Sequence, residues 1–557
     1  MKFSEIKYQR PDMDALLSEY DALTGKVKSA SSAEEQLFCV KQHEKLLSRF
    51  MTDSSYVYIR HSVDTRDAFF EKEQEFMDEV QPLFEEKVQD FYKALLASPF
   101  RPELEKALGN LFFLNMEIAN KTFTPENIPL MQEEARLTTE YSKLLASASI
   151  PFDGETVNLT QLRKYEESQD RNVRIRAHAA EAEFYKAHEA ELDRIFDQLV
   201  KLRTQMAKNM GYENFIELGY YRMRRNCYDA KMVAVYREQV VKDILPTVRK
   251  LKALQAKRNG LDELMYYDNN CFYPEGNPKP KAGFDEMLEL GRRMYHEMSP
   301  ETAAFIDYMI DNELFDPIAK AGKQPGGYCT YLPDYKMPFI FSNFNGTSAD
   351  VDVLTHEAGH AYQAYRARDM EIQELAQATL EACEVHSMSM EFFCYPYLEL
   401  FYGDDAARAR EAHLTDAVSF LPYGCMVDEF QHIIYENPGL TPDERKAEWA
   451  KLEQKYRPFL KFEGPYWGEG MWFMRQGHIY KDPFYYIDYC LAQTAALQFW
   501  AWAQKDRDAA FSAYNALVEK AGTETFVDLV TGAGLKNPFT EGCLEDVAKE
   551  VEKALLQ

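Results

Sequence analysis

Residues 351–365 read VDVLTHEAGHAYQAY and hold two histidines four positions apart, His356 and His360. An α-helix brings positions four apart onto one face, about 6 Å apart along its axis, so both imidazoles can point at a common atom. Glu357 directly follows the first histidine. The stretch therefore predicts a helix that holds a metal ion between His356 and His360.

The spacing H-E-x-x-H is typical of zinc peptidases, in which the glutamate of the motif acts as general base. With 11 histidines in 557 residues, about 0.02 such motifs are expected by chance. Chance is therefore a poor explanation of the motif. A metal site also requires that the residues around the motif form a helix.

The residues before the motif predict a strand, a turn and the start of a helix. Residues 338–344, PFIFSNF, are rich in β-formers, and Pro338 predicts an edge strand because proline cannot donate a ladder hydrogen bond. Asn345 and Gly346 predict a turn, and Asp352 is an acid in the first part of the new helix. An edge strand beside the motif would offer main-chain hydrogen bonds to an extended peptide.

A tetrahedral zinc with two histidine ligands needs one more protein ligand and keeps one open position for water. Residues 375–393, LAQATLEACEVHSMSMEFF, predict a helix that presents Glu381 and Glu384 one turn apart on the same face. Either glutamate could be the third ligand.

Two common arrangements of the third ligand do not fit. Thermolysin-like and aminopeptidase-like enzymes would place a glutamate at 379 or 380, where this chain has Thr379 and Leu380. The metzincin pattern would place a histidine at 366, which is Arg366.

The chain resembles the oligoendopeptidase F branch of the thimet-oligopeptidase family of zinc metallopeptidases, in which a downstream glutamate begins the motif E-x-x-S-x-x-x-E. Here the motif reads EVHSMSME, from Glu384 to Glu391. The resemblance implies Glu384 as third zinc ligand and Glu381 as a supporting acid that orients a zinc histidine. The reverse assignment stays open. Asp352 either supports the second ring nitrogen of His356 or complements the helix dipole.

A second stretch, MWFMRQGHIYKDPFYYIDYCLA, resembles the segment of the family that places a histidine and tyrosines over the scissile carbonyl. The resemblance implies His478 and Tyr489 as stabilisers of the oxyanion, with Tyr486 as the alternative tyrosine. It also implies a substrate-binding edge that includes Gly327, Tyr328, Phe341 and Asn343.

Most of the chain predicts helix. Between residues 76 and 95, apolar residues recur at three- and four-residue steps with charged residues between them, which predicts one buried stripe. We expect a mainly α fold with a helical region at 1–200 and a catalytic region at 201–557. The resemblance adds a zincin-like core with a small β-sheet, inside a two-lobed helical body that encloses a deep substrate channel.

The formal net charge of −27 disfavours nucleic acid and anionic membranes as partners. The sequence has no apolar leader and no run of the roughly 18 to 20 apolar residues that a spanning helix needs. The nine cysteines are scattered singly, which predicts reduced thiols. These features predict a cytoplasmic protein.

The sequence predicts an enzyme, a zinc-dependent endopeptidase that cleaves internal bonds of short unstructured oligopeptides, with one Zn²⁺ per chain. Glu357 would be general base toward a zinc-bound water. The alternatives are an exopeptidase of the same fold and a non-catalytic peptide-binding protein that retains zinc.

Overall fold

The computed structural model describes residues 1–556 except 319, 321, 325, 345–347 and 465, so the predicted turn at Asn345 and Gly346 lies outside the described residues. The described chain is mainly α-helical with small sheets, which confirms the predicted class. Its α-helices are α1 (Met13–Ser29), α2 (Ala33–Val63), α3 (Ala68–Leu96), α4 (Arg101–Leu108), α5 (Asn110–Asn120), α6 (Ile128–Ala146), α7 (Leu159–Glu166), α8 (Arg171–Ala187), α9 (Glu189–Asn209), α10 (Phe215–Arg222), α11 (Ala230–Gln239), α12 (Leu245–Arg258), α13 (Phe284–Met298), α14 (Pro300–Asp311), α15 (Ser348–Ala367), α16 (Gln373–Ala376), α17 (Leu380–Phe393), α18 (Glu399–Tyr402), α19 (Ala406–Glu436), α20 (Pro442–Tyr456), α21 (Gly477–Lys481), α22 (Tyr486–Ala503), α23 (Arg507–Lys520), α24 (Phe526–Gly532) and α25 (Cys543–Leu555). Its strands are β1 (Ile150–Phe152), β2 (Glu155–Val157), β3 (Leu264–Met265), β4 (Phe315–Ile318), β5 (Tyr328–Leu332), β6 (Met337–Phe344) and β7 (Leu460–Lys461).

The chain is divided between two compact units, each assembled from three separate stretches. Unit 1 contains Met1–Lys121, Lys279–Ala406 and Ala495–Lys536, and unit 2 contains Thr122–Pro278, Ala407–Thr494 and Asn537–Gln557. The regions predicted from the sequence, 1–200 and 201–557, follow the chain in linear order, and their boundary falls inside α9.

The core of unit 1 includes the apolar stripe of α3. Asp67 caps this helix by accepting hydrogen bonds from the backbone N–H groups of Phe69 and Phe70. Phe84, Phe91 and other members of the stripe are buried against α1 and α2. Burial of this face stabilises the helix more than local propensity does.

A three-stranded sheet in unit 1 has the order β4-β6-β5. β4 runs parallel to β6, and β5 runs antiparallel to it. The edge-strand prediction for residues 338–344 is therefore wrong, because β6 is the central strand and β5 is an edge. Pro338 is tolerated there because the register with β4 begins at Ile340, two residues later.

The most apolar segment of the sequence forms α22, whose residues Ile487, Leu491, Ala495 and Phe499 are buried. In the part of the chain that the structure describes, helices long and apolar enough to cross a membrane are absent.

Candidate metal centre and catalytic residues

Helix α15 carries the H-E-x-x-H motif and packs against β6 and α17. The four-residue spacing brings the imidazoles of His356 and His360 to the same face, with ring centroids 5.1 Å apart. The side chains are 24% and 20% exposed, so an approaching molecule can reach them.

Gly359 allows α15 and α17 to approach closely. A Cβ atom at this position would lie 2.6 Å from both the carbonyl oxygen of His386 and the Cα of Ser387, which belong to the backbone of α17. The Tyr514 hydroxyl, on α23, donates to the same His386 carbonyl at 2.9 Å. The contact brings α17 near enough for its acidic side chains to reach the two histidines.

The third member of the centre is Glu384, which is buried on α17. Its Oε2 lies 3.4 Å from His356 Nε2 and 3.6 Å from His360 Nε2, and the three donor atoms lie within 4.8 Å of one another. Two imidazole nitrogens and one carboxylate oxygen are the donors of a three-coordinate catalytic zinc site. The residues present therefore fit a zinc ion.

Glu391 orients His356. Its Oε1 lies 2.6 Å from His356 Nδ1, which leaves Nε2 directed toward Glu384. Such a carboxylate partner fixes the ring and its tautomer. The supporting role that the sequence suggested for Asp352 is therefore wrong, since Glu391 holds that nitrogen and Asp352 is exposed. Glu391 follows Glu384 by two helical turns, so both lie on the same face of α17. This spacing in the sequence could have identified Glu391 as a second acid near the histidines.

Glu381 lies one turn before Glu384 and is fully buried. Among the described residues, the group of donor atoms that can share one ion with His356 and His360 contains Glu384. This geometry favours Glu384 over Glu381 as third ligand.

The pKa values of Glu357, the candidate base, and of Glu384, a candidate ligand, are shifted in opposite directions. Burial raises the pKa of Glu357, although the nearby imidazoles of His360 and His356 oppose the shift. Burial also raises the pKa of Glu384, but the same imidazoles outweigh it and hold that pKa well below its usual value. Glu357 is therefore the stronger proton acceptor of the two carboxylates.

The chain before β5 lies beside Glu357. A Cβ at Gly327 would lie 3.7 Å from Glu357 Oε1, so glycine keeps this space open. Asn343 donates from Nδ2 to the carbonyl oxygens of Gln324 and Gly326 at 2.8 Å, which fixes the approach to the strand.

Tyr328 and Phe341, the other residues predicted to bind substrate, stack on each other. Their ring centroids are 4.8 Å apart with an interplanar angle of 11°, and Phe341 is fully buried. Phe341 therefore supports Tyr328 by packing and presents no exposed surface to a peptide.

His478 and the predicted tyrosines form an aromatic group in unit 2. The ring centroid of His478 lies 4.9 Å from that of Tyr486 and 5.8 Å from that of Tyr489. Tyr486 also packs on Phe420 and Tyr423, and burial raises its pKa.

A hydrogen-bonded chain sets the tautomer of His478. The Tyr423 hydroxyl donates to Gln476 Oε1 at 2.9 Å, which turns the amide nitrogen toward His478. Gln476 Nε2 lies 2.7 Å from His478 Nδ1. Because Nδ1 then accepts, the proton of the neutral ring is on Nε2, which becomes a donor.

The turn before α22 is held in a strained conformation. Phe484 has φ of +70°, which residues with a side chain rarely adopt. Its backbone N–H donates to Gln431 at 2.8 Å, and its carbonyl accepts from Arg225. Arg225 also pairs with Asp488 at 2.7 Å, with both side chains fully buried. Such strain persists only where surrounding contacts impose it, and here they fix the start of α22.

The structure thus groups His356, Glu357, His360 and Glu384 with Gly327 in unit 1. His478 and the tyrosines belong to unit 2. Glu391 and Gln476 are the two additions that sequence reasoning missed.

An H-E-x-x-H helix whose histidines meet a glutamate from a second helix defines the metal centre of a metallopeptidase. The model of peptidase family M3 matches residues 164–549, and that of the peptidase M3 N-terminal domain matches residues 3–123. The chain belongs to peptidase family M3 and is a metallopeptidase.

Individual relatives agree with this membership. An oligoendopeptidase F homolog of Borreliella burgdorferi (strain ATCC 35210 / DSM 4680 / CIP 102532 / B31) is 22% identical over 440 residues, 74% of this chain and 72% of the relative. The solved structure of PZ peptidase A with inhibitor 2 is 47% identical with a TM-score of 0.96, over 100% of this chain and 99% of the other. A structure assigned to oligoendopeptidase F from Bacillus anthracis str. Ames is 45% identical with a TM-score of 0.91, over 100% and 98%. These likenesses confirm the predicted oligoendopeptidase F branch.

Proposed function

We propose that the protein is a zinc-dependent endopeptidase that hydrolyses internal bonds of short, unstructured oligopeptides. The observation that carries the proposal is the group of three donor atoms from His356, His360 and Glu384, beside the raised-pKa carboxyl of Glu357. The names of the oligoendopeptidase F relatives support oligopeptides as the substrate class.

A zinc ion in this centre would supply a Lewis acid and lower the pKa of a water toward about 7. Glu357 accepts a proton from the attacking water and passes it to the leaving nitrogen. Glu391 keeps the ring of His356 in the ligating orientation through the 2.6 Å contact. Proton transfer and metal binding are thus tasks of different residues.

The peptide would lie along β5, the edge strand next to Glu357. Gly327 leaves room for a main chain there, and an edge strand can pair with an extended peptide. The strand that pairs with substrate would then be β5, and not β6 as the sequence suggested.

His478 and Tyr489 are proposed as donors to the oxygen that becomes negative during the attack. The Gln476 contact supports a proton on His478 Nε2. Tyr489 is favoured over Tyr486 because Tyr486 packs on further aromatic rings.

The test is Glu357→Gln, assayed on a quenched oligopeptide together with zinc content. We expect the zinc content of the parent to remain and turnover to fall by about 10² to 10⁴, the usual contribution of a general base. Asp352→Asn, a change of an exposed acid on the same helix, is the matched control and should behave like the parent. Turnover that survives Glu357→Gln would overturn the role of this residue.

A peptide of about ten residues with both termini blocked tests the endopeptidase assignment. We expect cleavage within this peptide, and a chelator should abolish it. Cleavage only after the termini are unblocked would instead establish an exopeptidase. Zinc binding without cleavage of any peptide would favour the non-catalytic alternative.

A further inference from the structure

A second group of potential metal ligands lies in unit 2, outside the centre at His356. Glu166 ends α7, and His178 and Glu181 lie one turn apart on α8. His178 Nδ1 is 3.8 Å from Glu166 Oε1 and 3.7 Å from Glu181 Oε2, and the three donor atoms lie within 4.8 Å of one another. We call these three residues the α7–α8 cluster.

Two atoms of the α7–α8 cluster have unmet hydrogen-bonding capacity. His178 Nδ1 and Glu181 Oε2 are buried without a hydrogen-bond partner in the described part of the chain. His178 is 6% exposed and Glu181 5%, so bulk water does not solvate them. A buried polar atom without a partner costs about 1 to 3 kcal/mol, which favours a bound species at this position.

The spacing of these atoms resembles that of a metal centre. Separations of 3.7 and 3.8 Å are too long for a direct hydrogen bond. They are only slightly longer than the 3.4 and 3.6 Å between Glu384 and its two histidines. Ligands that share a tetrahedral ion with bonds of ~2.0–2.1 Å lie ~3.3 Å apart, so a small contraction would suffice.

The two carboxylates of the cluster outnumber the one guanidinium that contacts them, although the charges of Arg475 and Arg174 oppose a cation at His178. Arg475 Nε lies 2.8 Å from Glu181 Oε1, and Arg475 Nη2 lies 3.3 Å from Glu166 Oε2. One guanidinium therefore faces two carboxylates on their outer oxygens, and the inner oxygens face His178. Burial, and repulsion from Glu181, raise the pKa of Glu166, and burial raises that of Glu181. Burial lowers the pKa of His178 to about 4, so its ring is neutral and can donate a lone pair.

We propose that the α7–α8 cluster binds one divalent transition-metal cation, Zn²⁺ or Mn²⁺, independently of the centre at His356. One imidazole and two carboxylates suit these ions better than Ca²⁺ or Mg²⁺, which prefer oxygen alone. The ion would link the end of α7 to α8 and stabilise unit 2, since binding to the folded state adds to stability.

A third group of potential ligands in the structure shows what argues against a metal. His43 Nε2 lies 2.8 Å from Glu374 Oε1, and His43 Nδ1 lies 3.0 Å from the Tyr20 hydroxyl. Both ring nitrogens therefore make direct hydrogen bonds, and neither is open to an ion. His178 Nδ1, in contrast to the two ring nitrogens of His43, makes no hydrogen bond within the described part of the chain.

The test uses the full chain carrying His356→Ala and His360→Ala, which removes the other centre. We measure bound Zn²⁺ and Mn²⁺ by equilibrium dialysis with elemental analysis, and the melting temperature with and without each ion. We expect about one ion per chain and a higher melting temperature with metal. If neither ion binds at millimolar concentration, the proposal is refuted.

Variants in that background locate the ion. His178→Gln and Glu181→Gln should each weaken binding at least 100-fold, more than the ~10- to 100-fold loss of a partner that only orients a ligand. His188→Gln, which replaces the histidine at the end of the same helix, is the matched control and should bind like the background. Binding that persists in both cluster variants would place the ion elsewhere.

Crystals of the unmodified chain, soaked separately in Zn²⁺ and in Mn²⁺, give a readout that needs no variant. An anomalous difference peak between His178 Nδ1 and the inner oxygens of Glu166 and Glu181 is expected. If those crystals show water or no peak at this position, the cluster is a hydrogen-bonded network and the proposal is wrong.

Discussion

Gly359→Ala is the substitution that most directly tests how the metal centre is built. The added Cβ would lie 2.6 Å from the His386 carbonyl oxygen and from the Ser387 Cα. Carbon atoms in contact prefer separations of about 3.5 to 4.0 Å. Since both neighbours are backbone atoms of α17, a side-chain rotation cannot relieve the clash, and the two helices have to separate by up to about 1 Å.

The magnitude of the effect follows from that displacement. Overpacking by one methyl group costs about 1 to 3 kcal/mol of the free energy of unfolding. Glu384 Oε2 already lies 3.4 and 3.6 Å from the two histidine nitrogens, and separation of the helices lengthens both distances. We therefore expect zinc affinity to fall about 10- to 100-fold, as when a residue that orients a ligand is lost.

The matched control is Gly25→Ala in α1, where a Cβ would meet nothing within 4 Å. Alanine is the better helix former by about 0.8 to 1 kcal/mol, so the control should stabilise the protein. Zinc affinity is measured by competition with a chelator, and stability by denaturant midpoint. If Gly359→Ala binds zinc as the parent does and unfolds at the same midpoint, the close approach of the helices is not what assembles the centre.

Three further predictions concern single side chains. Glu391→Gln should weaken zinc binding about 10- to 100-fold in chelator competition, and an unchanged affinity would remove it from the centre. Tyr489→Phe should lower kcat about 10² to 10³-fold with zinc content unchanged, whereas Tyr486→Phe should lower it far less; the reverse order would exchange the two tyrosines. Burial and the neighbouring Glu374 raise the pKa of Glu44 to about 10, so the folded state favours its protonated form. The stability of the fold is therefore lost as pH rises from about 4.5 to 10. The melting temperature of Glu44→Gln, which mimics that form, should therefore exceed the parent's by a margin that grows between pH 5 and 9, and a constant margin would contradict the shift.

The predictions that succeeded rest on short-range pattern. The helical stripe of α3 and the facing pair His356 and His360 follow from a repeat of 3.6 residues, which depends only on the local chain. The assignment of Glu384 as ligand, which stays a proposal, required the resemblance, because the residues alone left both Glu381 and Glu384 open.

The predictions that failed depend on partners distant in sequence. β6 is central because β4 pairs with it, and the sequence DP within β4 gives little strand signal. The sequence suggested Asp352 for the second ring nitrogen of His356, whereas the packing of α17 on α15 brings Glu391 to that nitrogen. The α7–α8 cluster had no sequence signal, since Glu166 and His178 belong to different helices.

The hydrogen bond from Tyr514 to the backbone of α17 has a consequence for synthesis of the chain. Glu384, the proposed third ligand, emerges from the ribosome long before α23, whose tyrosine anchors the same helix at the His386 carbonyl. Unit 1 is complete only when its third stretch, Ala495–Lys536, has been made. We therefore expect a ribosome-stalled chain ending near residue 494 to lack a formed metal centre, so that nascent molecules stay inactive toward peptides until residues 495–536 have been made.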